Sequence, residues 1–244
     1  MGSFCHMANL AARSGAFAAV QKLSPNALSC SAFLFDLPRP TLKEGKTVDR
    51  ELDKRAEGIA QCARLGGHVY YDVHDYPPEL TTGTGLQPIE YLAGRLRQTS
   101  THCVPVTGTI EDRGLAYVET VRNIVDTDSG GVCLRVAHDE LEEPARLEAV
   151  IGATLAALGV TPHKTDLVMN FAFVGNEKPE RLRSLARDAL DAINHVGAFR
   201  NIVLPGTSIP ANWANEQKAR CYASAALNSM FGQTSRGCWL ARGE

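Results

Sequence analysis

Ser31-Ala-Phe-Leu-Phe-Asp-Leu37 and its counterpart His68-Val-Tyr-Tyr-Asp-Val73 decide the fold class of this chain. Each is a short apolar and aromatic run with one aspartate near its C-terminal end, and a run of that kind reads as a strand. Between them, Val48 to Leu65 carries apolar residues at three- and four-residue spacing, the mark of a helix with one buried face. Strand, helix, strand is the unit of a parallel sheet, because a parallel neighbour is reached only through a long crossover.

Working outward, the same alternation continues. Strand-like runs recur at Cys103 to Thr107, Val132 to Val136, Asp166 to Val174 and Asn201 to Leu204. Helical periods fall between them at Gln87 to Thr99, Arg113 to Asp126, Glu142 to Leu158 and Pro179 to Asn194. Pro88 suits a first helical turn, and Gly66 and Gly159 suit helix exits. Toward the front, His6 to Ala11 reads as a weak further strand and Gly15 to Leu23 as a helix ending before Ser24-Pro25. Toward the end, Asn215 to Met230 fits one helix and Cys238 to Arg242 a terminal strand. The expectation is an α/β, TIM-barrel-like (β/α)n barrel, incomplete, with about seven strands. The 244 residues are read as one domain in which 1–12 and 232–244 are poorly defined.

Composition narrows the function classes. The chain is 44% apolar and 21% charged, enough for a packed core. Its 25 basic and 27 acidic residues leave a net charge of -2, so no global field favours nucleic acid. No apolar run of about 18 residues and no signal peptide is readable, which predicts a cytoplasmic protein with no membrane span. Seven cysteines, at 5, 30, 62, 103, 133, 221 and 238, include no CxxC pair. That spacing argues against a zinc ribbon and for reduced thiols acting as small hydrophobes.

Side chains alternate between the two faces of a strand, so each run sorts its own residues. Phe33, Phe35 and Leu37 oppose Leu34 and Asp36. Val69, Tyr71 and Val73 oppose Tyr70, Asp72 and His74. Val132, Leu134 and Val136 oppose Cys133 and Arg135, and Leu167, Met169, Phe171 and Phe173 oppose Val168, Asn170 and Ala172. If the large apolar faces pack on helices, then Asp36, Asp72, His74, Thr107, Arg135 and Asn170 point into the barrel or line its C-terminal mouth, where barrel enzymes keep their sites. Asp36, Asp72 and Arg135 are the catalytic candidates, and the other three are ligand-binding candidates. Arg135 equally suits a buried pairing with Asp36 or Asp72 that fixes strand register. Asp72-Val-His-Asp75 resembles a metal cluster, but alternation lets at most two of these residues meet one ion, so no metal is assigned. Thr81-Thr-Gly-Thr-Gly85 lacks both the P-loop lysine and the dinucleotide-binding spacing and reads as a flexible surface loop. Leu204-Pro-Gly-Thr-Ser-Ile-Pro210 follows the last clear run, and Gly206, Thr207 and Ser208 there are candidate donors to a ligand phosphate.

The order of these segments resembles the "beta protein" family of bacteria and phages. The matching stretches are Gly15 to Pro25, Phe33 to Pro40, Val69 to Val73, Val104 to Thr107, Gly131 to Arg135, Asp166 to Asn170 and Gly206 to Pro210. The resemblance implies a barrel-like α/β fold and carries no reaction over to individual residues. The chain departs from the family pattern at Ala16, where an acidic residue is usual, and at Asn170, where aspartate is common. It is also shorter, so a barrel curtailed at its C-terminal side, with a strand edge to cover and oligomerisation as one way to cover it, is expected.

Two function classes follow. One is an enzyme or degenerate enzyme taking a small anionic ligand at the mouth, with Arg135 clamping the anion and Asp36 or Asp72 as acid or base. The other is a noncatalytic phage- or defence-related protein-binding scaffold, using surface loops such as Pro77 to Pro88. No cofactor can be named.

Overall fold

The computed structural model of the protein describes residues 4–40, 47–171, 174–175 and 177–206. Seven strands form one parallel sheet in sequence order: β1 (His6–Ala11), β2 (Ser31–Asp36), β3 (His68–Asp72), β4 (Val104–Thr107), β5 (Val132–Val136), β6 (Thr165–Met169) and β7 (Asn201–Val203). Each neighbouring pair is parallel. Between them run α1 (Ser14–Gln21), α2 (Pro25–Ser29), α3 (Asp49–Ala63), α4 (Pro88–Gln98), α5 (Ile110–Arg113), α6 (Leu115–Asp128), α7 (His138–Leu141), α8 (Pro144–Leu158) and α9 (Pro179–Asn194).

The curl of the sheet is visible in its inner layer. Met7, Leu34, Tyr70, Val106, Cys133, Val168 and Val203, one from each strand, belong to a single apolar cluster. A flat seven-stranded sheet would hold its first and last strands far apart, since neighbours are about 4.8 Å apart. Side chains three strands apart nevertheless meet, Arg135 of β5 with Asp36 of β2 and Tyr70 of β3 with Asp166 of β6, so the sheet wraps almost into a barrel. The outward faces form two further layers. Phe33, Phe35, Val69 and Tyr71 pack with α1, α3, α4 and α6. Leu134, Val136, Leu167 and Met169 pack with α8 and α9. The alternation in the sequence thus sorts inside from outside correctly along β2, β3, β5 and β6.

Local signals end the helices where expected. Pro88 opens α4, and Gly159 closes α8 at φ +67°, a left-handed cap that a side chain would strain. One strand boundary and two short helices differ from the sequence reading. The run read as Asp166 to Val174 is a strand only over Thr165–Met169. Beyond it the N–H groups of Asn170 and Phe171 still donate to the carbonyls of Val136 and Pro205, both at 2.9 Å. Ala172 and Phe173 lie outside the described residues, as do the readings of Asn215 to Met230 and Cys238 to Arg242. The short helices α5 and α7 were missed, because four residues are too few to display a period. They follow β4 and β5 directly and build one side of the mouth. No helix among the described residues is long and apolar enough to cross a membrane.

Candidate functional site at the barrel mouth

Asp36 and Asp72 end adjacent strands and pair with each other in register. Both occupy the inward-facing set, two residues after Leu34 and Tyr70 of the inner cluster. Arg135 stands on the same face of β5, two residues after Cys133, and crosses the barrel to both. Its Nη1 donates to Asp36 Oδ1 at 2.8 Å and to Asp72 Oδ2 at 3.2 Å. Arg113, the last residue of α5, completes the set: its Nη2 donates to Asp72 Oδ1 at 2.9 Å, and its Nε lies 3.0 Å from Asp112 Oδ2. The same guanidinium sits over the Tyr117 ring, 5.3 Å from the centroid.

Gly108 makes room for this arrangement. It follows β4 directly, and a Cβ there would collide with the Asp112 carboxylate. Thr109 and Glu140 then tie the neighbouring loops together. Thr109 accepts from the Asp112 N–H at 3.2 Å and donates its hydroxyl to Glu140. The other Glu140 oxygen accepts from the Ala137 N–H at 2.8 Å, capping α7. Beside Asp112 a cavity of about 320 Å³ opens, lined by Glu111, Asp112, Asp139, Glu140, Glu143 and Arg146.

The electrostatics separate the two central aspartates. Asp72 has no exposed side-chain surface, and each of its oxygens accepts from an arginine. Asp36 keeps 27% of its side chain exposed. Burial raises the Asp36 carboxyl above the ordinary aspartate value; Arg135 and a hydrogen bond from Asn9 pull it down, and Asp72 pushes it further up. Burial opposes charge on both guanidiniums, but the carboxylates outweigh it and hold Arg113 and Arg135 above the usual arginine value. Among the described residues the cluster therefore joins three carboxylates to two guanidiniums. Asp36 combines an upward-shifted carboxyl with contact to solvent, as does the partly exposed Glu140 on the neighbouring loop, which burial pushes up.

The remaining candidates are placed differently. His74 does not face the interior: Tyr76 N–H donates to the Val73 carbonyl at 2.9 Å, and that turn ends the strand and leaves His74 exposed. Thr107 is fully buried, but it pairs with Leu134 of the outer layer, and its hydroxyl donates to the Gly108 carbonyl at 3.0 Å. Alternation alone could not say on which face β4 would finish. Asn170 is half-buried and follows Val168 by two on the inward face. Gly206 lies beside Val174 and Phe171. Thr207 and Ser208 lie outside the described residues. The Thr81 to Gly85 stretch is a pinned turn and not a loose loop. Thr82 Oγ1 accepts from the Leu86 N–H at 3.1 Å, and the Gly83 N–H is spent on Asp49 Oδ2 at 2.9 Å. Among the described residues no group of three or more His, Cys, Asp or Glu is arranged to hold a metal ion.

Two features escaped the sequence reading. Arg113 was taken as the start of a helix, and nothing in its neighbours signals a partner on β3. At the opposite, N-terminal end of the barrel, the fully buried Asp166 accepts from Tyr70 Oη at 2.7 Å, Arg200 Nε at 2.8 Å and Asn201 Nδ2 at 2.7 Å. Over residues 7–222 the chain matches the family described as Beta protein. No curated protein matches it.

Proposed function

The chain belongs to the Beta protein family, and from that architecture and the geometry of the mouth we propose that the mouth is a small-molecule site in which Asp36 meets the ligand and exchanges a proton with it. The observation that carries this reading is the contrast between the two aspartates. Asp72 is buried and doubly paired, and so organises the site. Asp36 is reachable from solvent, with a carboxyl shifted upward toward a pH where it can give as well as take a proton. Arg135, Asp72 and Arg113 act as positioning residues that fix its orientation.

The expectation that Arg135 clamps an anion fits this geometry less well. Its Nη1 is already engaged by two carboxylates, and the described mouth holds more carboxylates than guanidiniums. The adjoining cavity is lined by five carboxylates and one arginine. A neutral or cationic molecule with hydrogen-bond donors is therefore the better match than a phosphorylated one. The cytoplasmic assignment draws support from the described cysteines, all of which are free thiols.

The experiment is a thermal-shift screen with separate sets of amines, neutral polar metabolites and phosphorylated metabolites, since a ligand that binds only the folded chain raises Tm. Hits among amines or neutral polar compounds, lost in Asp36→Asn, support the reading. Hits confined to phosphorylated compounds and weakened by Arg135→Lys would restore the anion-clamp alternative at the mouth. A protein-binding scaffold is the second reading, favoured by the rigid turn at 81–86 that presents the exposed Leu86. Capture of a protein partner, lost when Thr81 to Gly85 is replaced, would favour it.

A further inference from the structure

The end of the barrel opposite the mouth carries a second cavity, of about 300 Å³, whose lining differs sharply in charge. His102 precedes β4, Gly130 and Gly131 precede β5, His163 and Lys164 precede β6, and Arg200 precedes β7. Four chain segments thus converge beneath four consecutive strands. They bring two fixed cations and two imidazoles, and among the described residues no carboxylate lines the space.

Arg200 is held in place from below. Its Nε and Nη2 donate to the buried Asp166 at 2.8 and 2.5 Å, and its Nη1 donates to the Gly130 carbonyl at 3.2 Å. A guanidinium has five N–H donors, so these bonds, among the described residues, leave two for a ligand. The floor is backbone because it must be. Gly131 has φ +81°, and a Cβ there would collide with the Lys164 carbonyl and lie 2.9 Å from Arg200 Nη1. At Gly130 a Cβ would lie 2.6 Å from the His102 ring. The two glycines let the imidazole and the guanidinium close down on the loop. A fixed, forked donor set beside a lysine in a small concave space matches the chemistry of an oxyanion.

We propose that this cavity at the N-terminal end of the barrel is a binding site for a small oxyanion of the phosphate class, held by Arg200 and Lys164 with His102 and His163 at its walls. The site is independent of the mouth, which is rich in carboxylates and selects the opposite charge. Its volume admits inorganic phosphate or the head of a small phosphate monoester.

The test is a titration of the full chain with inorganic phosphate at constant ionic strength, read by backbone amide NMR and repeated with Lys164→Gln. Lys164 is exposed and makes no contact with Asp166, so its replacement leaves the buried ion pair intact. Saturable shifts at Gly130, Gly131 and Arg200, with about tenfold weaker affinity in Lys164→Gln, are expected from the loss of one charge-assisted contact. Methyl phosphate should compete with inorganic phosphate for the same amides. Non-saturating shifts, or equal affinity in the wild type and the variant, would show diffuse ion binding and overturn the proposal. The mouth residues Asp112 and Ala137 serve as the control, because shifts centred there would place the anion at the other end and overturn it as well.

Discussion

Asp36 and Arg135 depend on each other, and the cost of separating them is asymmetric. Removing Arg135 leaves Asp36 and Asp72 side by side, with Arg113 on Asp72 and the Asn9 hydrogen bond on Asp36 as what remains among the described residues. Breaking a buried pair by deleting one partner costs roughly 3–5 kcal/mol, so Arg135→Ala should lower the urea midpoint strongly. Arg135→Lys should recover only part of the loss, because the ammonium keeps the charge but not the planar, pre-organised group that sets Nη1 between the two carboxylates. This makes Arg135→Ala a poor probe of ligand binding and Asp36→Asn a better one, since an amide oxygen still accepts from Arg135. The pH dependence has a definite sign. The folded carboxyl of Asp36 titrates above its unfolded value of about 3.9, so the folded chain holds the extra proton between the two. The stability it contributes is present at low pH and is lost as pH rises through the folded value. Asp36→Asn should flatten that limb of a chemical-denaturation series, and an unchanged limb would remove Asp36 as its source.

At the scale of elements, close approach decides more than propensity does. A Cβ at Gly58 of α3 would overlap the Phe17 ring of α1, and Phe17 in turn packs at a tilt against Phe35 of β2 with centroids 5.1 Å apart. Gly58→Ala should therefore cost about 1–3 kcal/mol by overpacking, against the gain that alanine ordinarily brings to a helix. A stabilised variant, measured by Tm, would show that α1 can slide away. The long elements were legible in the sequence because their periods are long. α9 spans Pro179–Asn194, the range the spacing predicts, and β1 is a strand over His6–Ala11 despite its weak pattern. The short ones were not legible. A four-residue helix has no period to read, and α5 and α7 are the elements that bring Arg113 and Glu140 to the mouth. His74 was misplaced because a turn from Val73 to Tyr76 overrides alternation once the ladder stops. Thr107 was misplaced because its face depends on the register of β4, which only the neighbouring strands set.

Across the whole molecule, two polar ties span the inside of a sheet whose end strands, β1 and β7, are not paired with each other among the described residues. Arg135 links β5 to β2 near the mouth, and Tyr70 with Asp166 links β3 to β6 near the other end. Both join strands that are not neighbours, so both resist uncurling. Asp166 keeps its bonds from Arg200 and Asn201 when the tyrosine hydroxyl is removed. Tyr70→Phe should therefore cost only about 1 kcal/mol, visible as a lower urea midpoint with an unchanged m-value. Strand order and the inner and outer faces could be read from alternating residues. The ties could not, because a partner across a barrel leaves no trace in spacing. The sequence placed Asp36, Asp72 and Arg135 on one face and named their pairing, but it could not tell which aspartate would be buried and which would meet solvent.

That distinction is the central claim, and a carboxyl-carbon NMR titration of Asp36 in the folded chain tests it most directly. The account predicts a midpoint above the ordinary aspartate value of about 3.9, rising further when Arg135 is replaced by Gln. A midpoint below that value would contradict it. Asp36 would then be held as a permanently ionised partner of Arg135, and the pair would fix strand register without handling protons.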